Sequence, residues 1–420
     1  MFELGCIADD LTGATDLGVN LAAEGMRVLQ LIGAPSGDPD TGLGETADAV
    51  IVALKSRTCE VQTAVSASRA GADWLLESGA RRLYFKYCST FDSRPTGNIG
   101  PVTMALMEAS DGDLAVVCPA SPENGRTVRD GRLLVHGVPL AETHMRHHPL
   151  TPMTESNVAA LMDAQTGPGH SGLVKLETVR AGADNIAGAL DALRAQGRRF
   201  AVCDAETETD LEGIAAGSGA GTLLTGAAGL GRGFARHLGR TVLAPPTETK
   251  TPLPDLPGHV AILSGSCSAR SLEQVRHAEA RMAAMRIDVS RIADAPYAER
   301  ILAEAIHKTR AGNLLVYSTA GENERQAPGD AGLGERIETF HARLAAHLKD
   351  AGTRKFIVAG GETAGSVVRA LGVSSMMIGD LIDPGVPWTV TTTDPALLLA
   401  CKSGNFGAVD FFTRAVEMVS

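Results

Sequence analysis

The chain has 420 residues, enough to bury a large core and more than one domain ordinarily holds. With 44% hydrophobic and 21% charged residues, its composition excludes a disordered or fibrous chain. A formal net charge of -11 argues against a general nucleic-acid binder, which needs a basic surface, while leaving room for a local basic pocket around a small anion.

Phe2 to Ile7 reads as a short buried strand running into Asp9-Asp10. Thr12 and Gly13 read as a sharp turn, and Asp16 to Glu24 as a helix with Leu17 and Leu21 on one face and Gly25 as its stop. Two carboxylates thus stand at the carboxyl end of a first strand, the edge where open α/β sheets bind ligands. Asp also caps helices by satisfying orphan N–H groups, but a cap needs only one of the pair. Arg27 to Ile32 and Ala49 to Leu54 read as the next strands, and the second delivers Lys55, Ser56 and Arg57. A helix from Val61 to Ser78, closed by Gly79, leads to a strand from Arg82 to Tyr87 and the loop Cys88-Ser89-Thr90-Phe91-Asp92-Ser93. After an apolar helix around Met104 and Leu106 come a strand from Leu114 to Cys118 and a loop with Asn124, Gly125 and Arg126. Such alternation implies a mostly parallel sheet with helices on its faces, and right-handed crossovers put these loops on one rim.

Arg132 to Leu140 reads as a β excursion turning near His136-Gly137. His144, His147 and His148 invite a zinc hypothesis, but their spacing suits neither a zinc finger nor an i,i+4 helical pair, and an anion-binding or structural loop fits better. Thr154 is expected to cap a helix to about Gln165. Leu173 to Leu176, a helix from Ile186 to Leu193, Arg199 to Ala205 and Thr222 to Leu224 complete a first domain, residues 1–242. Pro245, Pro246, Pro252, Pro254 and Pro257 then mark residues 243–258 as an extended linker, since such a run can be neither helix nor central strand.

A second domain over 259–420 opens with a strand from His259 to Leu263, the loop Ser264-Gly265-Ser266-Cys267-Ser268 and a helix from Ala269 to Met282. Leu314 to Tyr317 is another strand, ending in Ser318-Thr319-Ala320-Gly321. A helix from Gly334 to Lys349 is followed by the strand Lys355 to Ala359, the turn Gly360-Gly361-Glu362-Thr363, and a helix through Leu371. A strand around Trp388 to Thr392 and the loop Lys402-Ser403-Gly404-Asn405-Phe406-Gly407 precede a terminal helix.

The seven Cys (Cys6, Cys59, Cys88, Cys118, Cys203, Cys267 and Cys401) make an odd total without a C-x-x-C pair, which suits reduced thiols in a cytoplasmic protein. The opening residues lack the basic and apolar segments of a signal peptide, and no apolar run is long enough to cross a bilayer.

Gly360-Gly361-Glu362-Thr363, between an apolar strand and a helix, has the geometry that aims N–H groups and a positive helix end at a phosphate. The loops at Ser264 and at Lys402 to Gly407 repeat the theme, although neither G-x-x-x-x-G-K-[ST] nor G-x-G-x-x-G is present. The first domain offers the complement: carboxylates at Asp9 and Asp10, cations at Lys55, Arg57, Lys86 and Arg126, and hydroxyls at Ser89 and Thr90, a set suited to a small carboxylated substrate.

Taken in order, Ile7 to Ala14, Phe85 to Ser93, Cys118-Pro119-Ala120, Asn124-Gly125-Arg126, His148 to Thr154, Gly360 to Thr363 and Lys402 to Gly407 resemble the four-carbon acid sugar kinase family. The Tyr-Cys-Ser-Thr-Phe-Asp-Ser and His-Pro-Leu-Thr-Pro-Met-Thr stretches look most like its 3-oxo-tetronate branch; the threonate and erythronate branches carry Asp directly after the lysine, where Tyr87 and Cys88 stand here. The sequence differs again at Ala364, where many relatives have Ser. The resemblance implies two α/β domains with mostly parallel sheets and an active-site cleft between them, an amino-terminal sugar-acid domain and a carboxyl-terminal ATP domain. Carried over by motif, Asp10, Arg57, Lys86 and Ser89 contact substrate, while Ser266, Gly360, Gly361, Glu362, Thr363 and Gly404 hold ATP, with Ser264, Lys402 and Asn405 beside them. The expected reaction is ATP-dependent phosphorylation of the terminal hydroxyl of 3-oxo-tetronate. Arg57, Lys86 and Arg126 would fix the acid end, Asp10 would orient or deprotonate the hydroxyl, and Mg²⁺ would bridge phosphate oxygens with Asp9 as a magnesium-side alternative. A kinase for threonate or erythronate, a nicotinamide-dependent sugar-acid dehydrogenase and a non-catalytic sugar-acid sensor are the rivals; the metal ligands and assembly into a homodimer are left open.

Overall fold

The structure, a computed structural model, describes all residues except 36, 149–150, 242–251 and 319–331. Much of the expected 243–258 linker, with Pro149, Leu150 and the Thr319-Ala320-Gly321 loop, therefore lies outside the described residues. The chain divides into two compact units, Met1–Thr249 and Lys250–Ser420.

In the first unit the strands are β1 (Leu4–Ala8), β2 (Val28–Ile32), β3 (Ala49–Ala53), β4 (Leu83–Lys86), β5 (Leu114–Cys118), β6 (Arg126–Arg129), β7 (Arg132–Val135), β8 (Val138–Pro139), β9 (Ser171–Val174), β10 (Phe200–Cys203) and β11 (Thr222–Gly226). Eight of them form a parallel sheet in the order β2-β3-β1-β4-β11-β5-β10-β9, and β6, β7 and β8 form a separate antiparallel sheet. β1 and β5 are buried at every position because helices cover both faces of a parallel sheet, which is why these strands read as unbroken apolar runs. The expected β excursion at Arg132 to Leu140 is the second and third strands of the small sheet, with Arg126 at its start.

The first helix spans Leu11–Ala23, five residues earlier than the sequence implies. Asp10 is its N-cap, accepting the Gly13 N–H at 2.8 Å. Gly13 therefore makes no turn; it sits inside the helix, where a Cβ would fall 2.3 Å from Asp10 Oδ1 and 3.1 Å from Lys86 Nζ. Likewise the helix expected from Thr154 begins at Val158, because Asn157 accepts the Ala160 N–H at 3.0 Å.

The second unit contains β12 (Val260–Ser264), β13 (Ala283–Arg286), β14 (Leu314–Tyr317), β15 (Lys355–Ala359), β16 (Ser375–Asp383), β17 (Val386–Thr391) and β18 (Leu398–Lys402), in the order β13-β14-β12-β15-β18-β17-β16. The first five positions are parallel, and β17 and β16 close the run antiparallel. Its core gathers Trp388, Phe411 and Phe412, with Trp388 Nε1 donating to Ala415 O at 3.1 Å. No helix among the described residues is long and apolar enough to cross a membrane.

Asp204, fully buried beyond the end of β10, accepts N–H bonds from Asp130 at 3.0 Å, Gly131 at 2.9 Å and Leu176 at 3.1 Å, so one carboxylate ties the small sheet to the large one. Asp204→Ala would orphan these donors at a cost of about 3 kcal/mol, a drop of roughly 5–10 °C in melting temperature. A thermal scan within 2 °C of the parent, about the effect of half a kcal/mol, would show that the two sheets do not depend on it.

Candidate active site

In the first domain the carboxyl ends of three parallel strands are level: Ala8 pairs with Ala53 on one side and Lys86 on the other. The chain goes from β1 to β2 and back to β3 on one flank, then crosses to β4 on the other, so β1 lies at the switch point where such sheets bind ligands. Asp9 and Asp10 leave β1 there, and Arg57 leaves β3. Arg57 grips Asp9 with two bonds, Nε to Oδ2 at 2.9 Å and Nη2 to Oδ1 at 2.8 Å, and Nη2 also reaches Asp10 Oδ1 at 2.7 Å. The Asp9 carbonyl accepts the N–H groups of Ser56 and Arg57, and Asn98 Nδ2 donates to the Ser56 carbonyl at 2.6 Å, so the Arg57 loop is held from both sides.

The two carboxylates have different parts. Asp9, 6% exposed, is the buried anchor of the guanidinium; Asp10, 30% exposed, opens toward solvent while capping the helix. Burial chiefly pushes the Asp10 carboxyl above the usual range, opposed by Arg57 and assisted by Asp9. Burial works against the Arg57 charge, yet Asp9 and Asp10 hold its pKa well above the ordinary value. Lys86 is 3% exposed and donates to the Tyr87 carbonyl at 2.8 Å. Asp16, on the helix that Asp10 caps, is a charged neighbour the sequence motifs do not flag: burial raises its carboxyl pKa, with Lys86 opposing.

Of the other expected substrate residues, Ser89 is half-buried in the loop after β4, Lys55 is exposed beyond β3, and Arg126 is half-buried at the start of the small sheet. Arg126 Nη1 donates to the Asn124 carbonyl, and its Nε is buried without a hydrogen-bond partner among the described residues. Tyr87 is packed edge-on between Phe85 and Phe91, each ring 5.4 Å away, with its hydroxyl 3.2 Å from Thr225 Oγ1, and serves the core. Asp92 accepts from Thr90 Oγ1 at 2.7 Å. His148 Nδ1 lies 2.8 Å from Thr151 Oγ1.

The second domain repeats the plan. Ser264 pairs with Ala359 and Ala359 with Lys402, so β12, β15 and β18 release their loops side by side. Gly360, at φ 120, is the N-cap of the helix Gly361–Ala370 and offers it no side-chain cap. Small residues are needed here: a Cβ on Gly360 would stand 3.0 Å from Thr363 Oγ1 and 3.3 Å from Ser266 N, and one on Gly404 would fall 2.5 Å from Ser266 Oγ. Gly361, Glu362 and Asn405 are exposed, Thr363 is buried, and Ser264 Oγ is buried without a hydrogen-bond partner among the described residues. Gly404 O accepts Ser268 Oγ at 2.5 Å, Ser271 Oγ at 2.9 Å and Lys402 Nζ at 3.1 Å. Lys402 is fully buried, so its ammonium shapes this loop from behind. Burial and then Arg270 push its pKa down to about 7.

Residues 4–234 match the family described as a sugar-binding N-terminal domain, and residues 261–412 the one described as a nucleotide-binding C-terminal domain. Two α/β domains so paired define a small-molecule phosphotransferase. The chain is 43% identical over 419 residues to a 3-oxo-tetronate kinase of Burkholderia multivorans, covering 99% of this chain and 96% of the relative. It is 42% identical over 423 residues to one of Pseudomonas fluorescens, covering 99% and 97%. A crystallised Salmonella typhimurium protein, provisionally described as a tRNA synthase, is 38% identical with a TM-score of 0.88, each chain 99% covered. The chain belongs to the four-carbon acid sugar kinase family.

Gly13→Ala should displace the Asp10 carboxylate, lowering kcat about 100-fold, the scale of a 1 Å misplacement; a steady-state kcat within threefold of the parent, about 0.7 kcal/mol, would separate Gly13 from Asp10 placement. Lys402 gives a pH signature. Above its folded pKa of about 7 the buried amine is neutral, whereas the unfolded chain keeps its proton to the ordinary 10.5. Stability should therefore rise with pH between these values, by up to about 1.4 kcal/mol per unit, relative to Lys402→Met. Parallel pH dependence of unfolding in the two proteins would show that the lysine is not buried in this way.

Proposed function

We propose that this chain transfers the γ-phosphoryl group of ATP to the 4-hydroxyl of a four-carbon acid sugar, most simply 3-oxo-tetronate, giving the 4-phosphate and ADP. The observation that carries the reading is the Asp10 carboxylate, fixed at the β1 switch point by Arg57 and by the helix it caps, yet open to solvent. The full-length relatives named 3-oxo-tetronate kinase support the substrate.

Lys86 and Arg126 are the cations assigned to the acid end of the sugar, with Ser89 for a hydroxyl. Arg57 is committed to Asp9 and Asp10, and its part is to hold Asp10 in place and offset its charge. Asp10 accepts the proton of the 4-hydroxyl as that oxygen bonds to the γ-phosphorus and the bond to the ADP oxygen breaks. Its raised pKa brings it nearer to that of a useful base, and the loose transition state asks more of positioning than of base strength. The loops at Ser264 to Ser266, Gly360 to Thr363 and Gly404 are assigned to the triphosphate, whose charge suits a helix N-terminus.

Magnesium accompanies ATP and would neutralise phosphate charge. The chain does not offer it a cage: among the described residues no three His, Cys, Asp or Glu side chains gather to hold a metal, and Asp9, the candidate ligand, spends both oxygens on Arg57. No residue is assigned to it. The seven free thiols suit the reducing cytoplasm.

An ADP-release assay across tetronates and their 3-oxo forms should give turnover with a 3-oxo-tetronate. Asp10→Asn should lower kcat by about 100-fold or more, as loss of a general base does, while calorimetric ATP binding is unchanged. Parent-like turnover in that variant would remove Asp10 from the chemistry, and acid-dependent change at the reduced-nicotinamide band would favour the dehydrogenase.

A further inference from the structure

Behind the glycine loops of the second domain lies a buried polar line. His341, in the helix Leu333–Asp350, is fully buried with Nε2 3.1 Å from Ser318 Oγ. Ser318 follows the end of β14, is 3% exposed, and donates its N–H to the Ser264 carbonyl at 3.0 Å. Ser264 ends β12, and the N–H groups of Gly265 and Ser266 donate to the Ala359 carbonyl at 3.1 and 3.2 Å. Ala359 is the residue before Gly360. Hydrogen bonds thus lead from the imidazole to both walls of the loops assigned to the triphosphate. The histidine's own helix packs along Gly361–Ala370, where Ser366 Oγ donates to Glu338 at 3.2 Å.

His341 is an expensive choice for a core position. Among the described residues its Nδ1 is buried without a hydrogen-bond partner, as is Ser264 Oγ, and unpaired buried groups are rare because each costs stability. A leucine would fill the same space without that cost. Burial holds the imidazole neutral by pushing its pKa down to about 4, so one ring nitrogen donates and the other accepts, and the bond to Ser318 is insensitive to ordinary changes of pH.

We propose that His341 is a positioning residue for the nucleotide, acting through Ser318 on the Ser264 carbonyl and hence on the Gly265-Ser266 backbone that meets the triphosphate. The proposal rests on the kinase reading above. His341 touches no ligand; it fixes the strand end on which the ligand docks.

His341→Leu removes both ring nitrogens while keeping volume, and Ser318→Ala removes the intermediate hydroxyl. Each should raise the calorimetric Kd and the KM for ATP roughly tenfold, the effect of one lost coupled contact, with the KM for the sugar acid unchanged. His341→Gln, which restores a nitrogen donor, should recover most of the ATP affinity. The double variant should lose no more than either single one, because both act along one path. Parent-like ATP affinity in both single variants overturns the proposal, as does a loss that follows melting temperature and falls equally on both substrates; if His341→Leu does not fold, Ser318→Ala decides. A parent protein that binds no ATP would overturn the kinase reading itself, a result distinct from unchanged affinity in the variants.

Discussion

The first domain depends on one cation held between two carboxylates. Arg57 is drawn into the protein by Asp9 and shares its Nη2 with Asp10, so the ends of β1 and β3 are locked into one cluster. Bringing charges out of water is costly, and such a cluster is maintained only where geometry and extra hydrogen bonds are good. Here they come from the Gly13 N–H, the level carboxyl ends of β1, β3 and β4, and Asn98 beneath the Arg57 loop. Losing Arg57 would leave both carboxylates without their shared partner, whereas losing Asp10 would leave the two-bonded Arg57–Asp9 pair intact.

The two domains use the same device with opposite finish. Each places a strand end and a helix start at the switch point of its own parallel sheet. In the first, Asp10 fills the helix end with its own carboxylate, leaving a site whose surplus charge comes from side chains. In the second, Gly360 brings no side chain to cap the helix. The two domains thus differ at the same point of the plan, with a cap of aspartate in one and a cap of glycine in the other.

Much of this is legible in the sequence where burial is complete. Leu114–Cys118, Leu314–Tyr317 and Lys355–Ala359 read to the residue, because a strand covered on both faces is an unbroken apolar run with clear ends. The pairing of Asp9-Asp10 with the Arg57 loop is also legible, since parallel strands must deliver both to one rim. What sequence does not carry is the reason for a glycine: Gly13 reads as a turn, but it is small to let Asp10 and Lys86 approach. Asn98 and Asp16 belong to no motif and matter only through distant neighbours. The hairpin of β16 and β17 is obscured because Gly379 and Asp380 interrupt its apolar pattern and Leu381 is exposed. Lys402 sits in a binding-type motif, yet it closes an apolar strand, and that context turns its ammonium inward.

Trp388 has a practical consequence. The chain contains two tryptophans, and they fall one to each domain: Trp74, half-buried with its indole N–H on the Asp38 carbonyl, and Trp388, wholly enclosed against the terminal helix. Intrinsic fluorescence is therefore already partitioned, with the blue-shifted emitter reporting the carboxyl-terminal half and the redder one the amino-terminal half, so the melting of each lobe can be followed optically without an added dye.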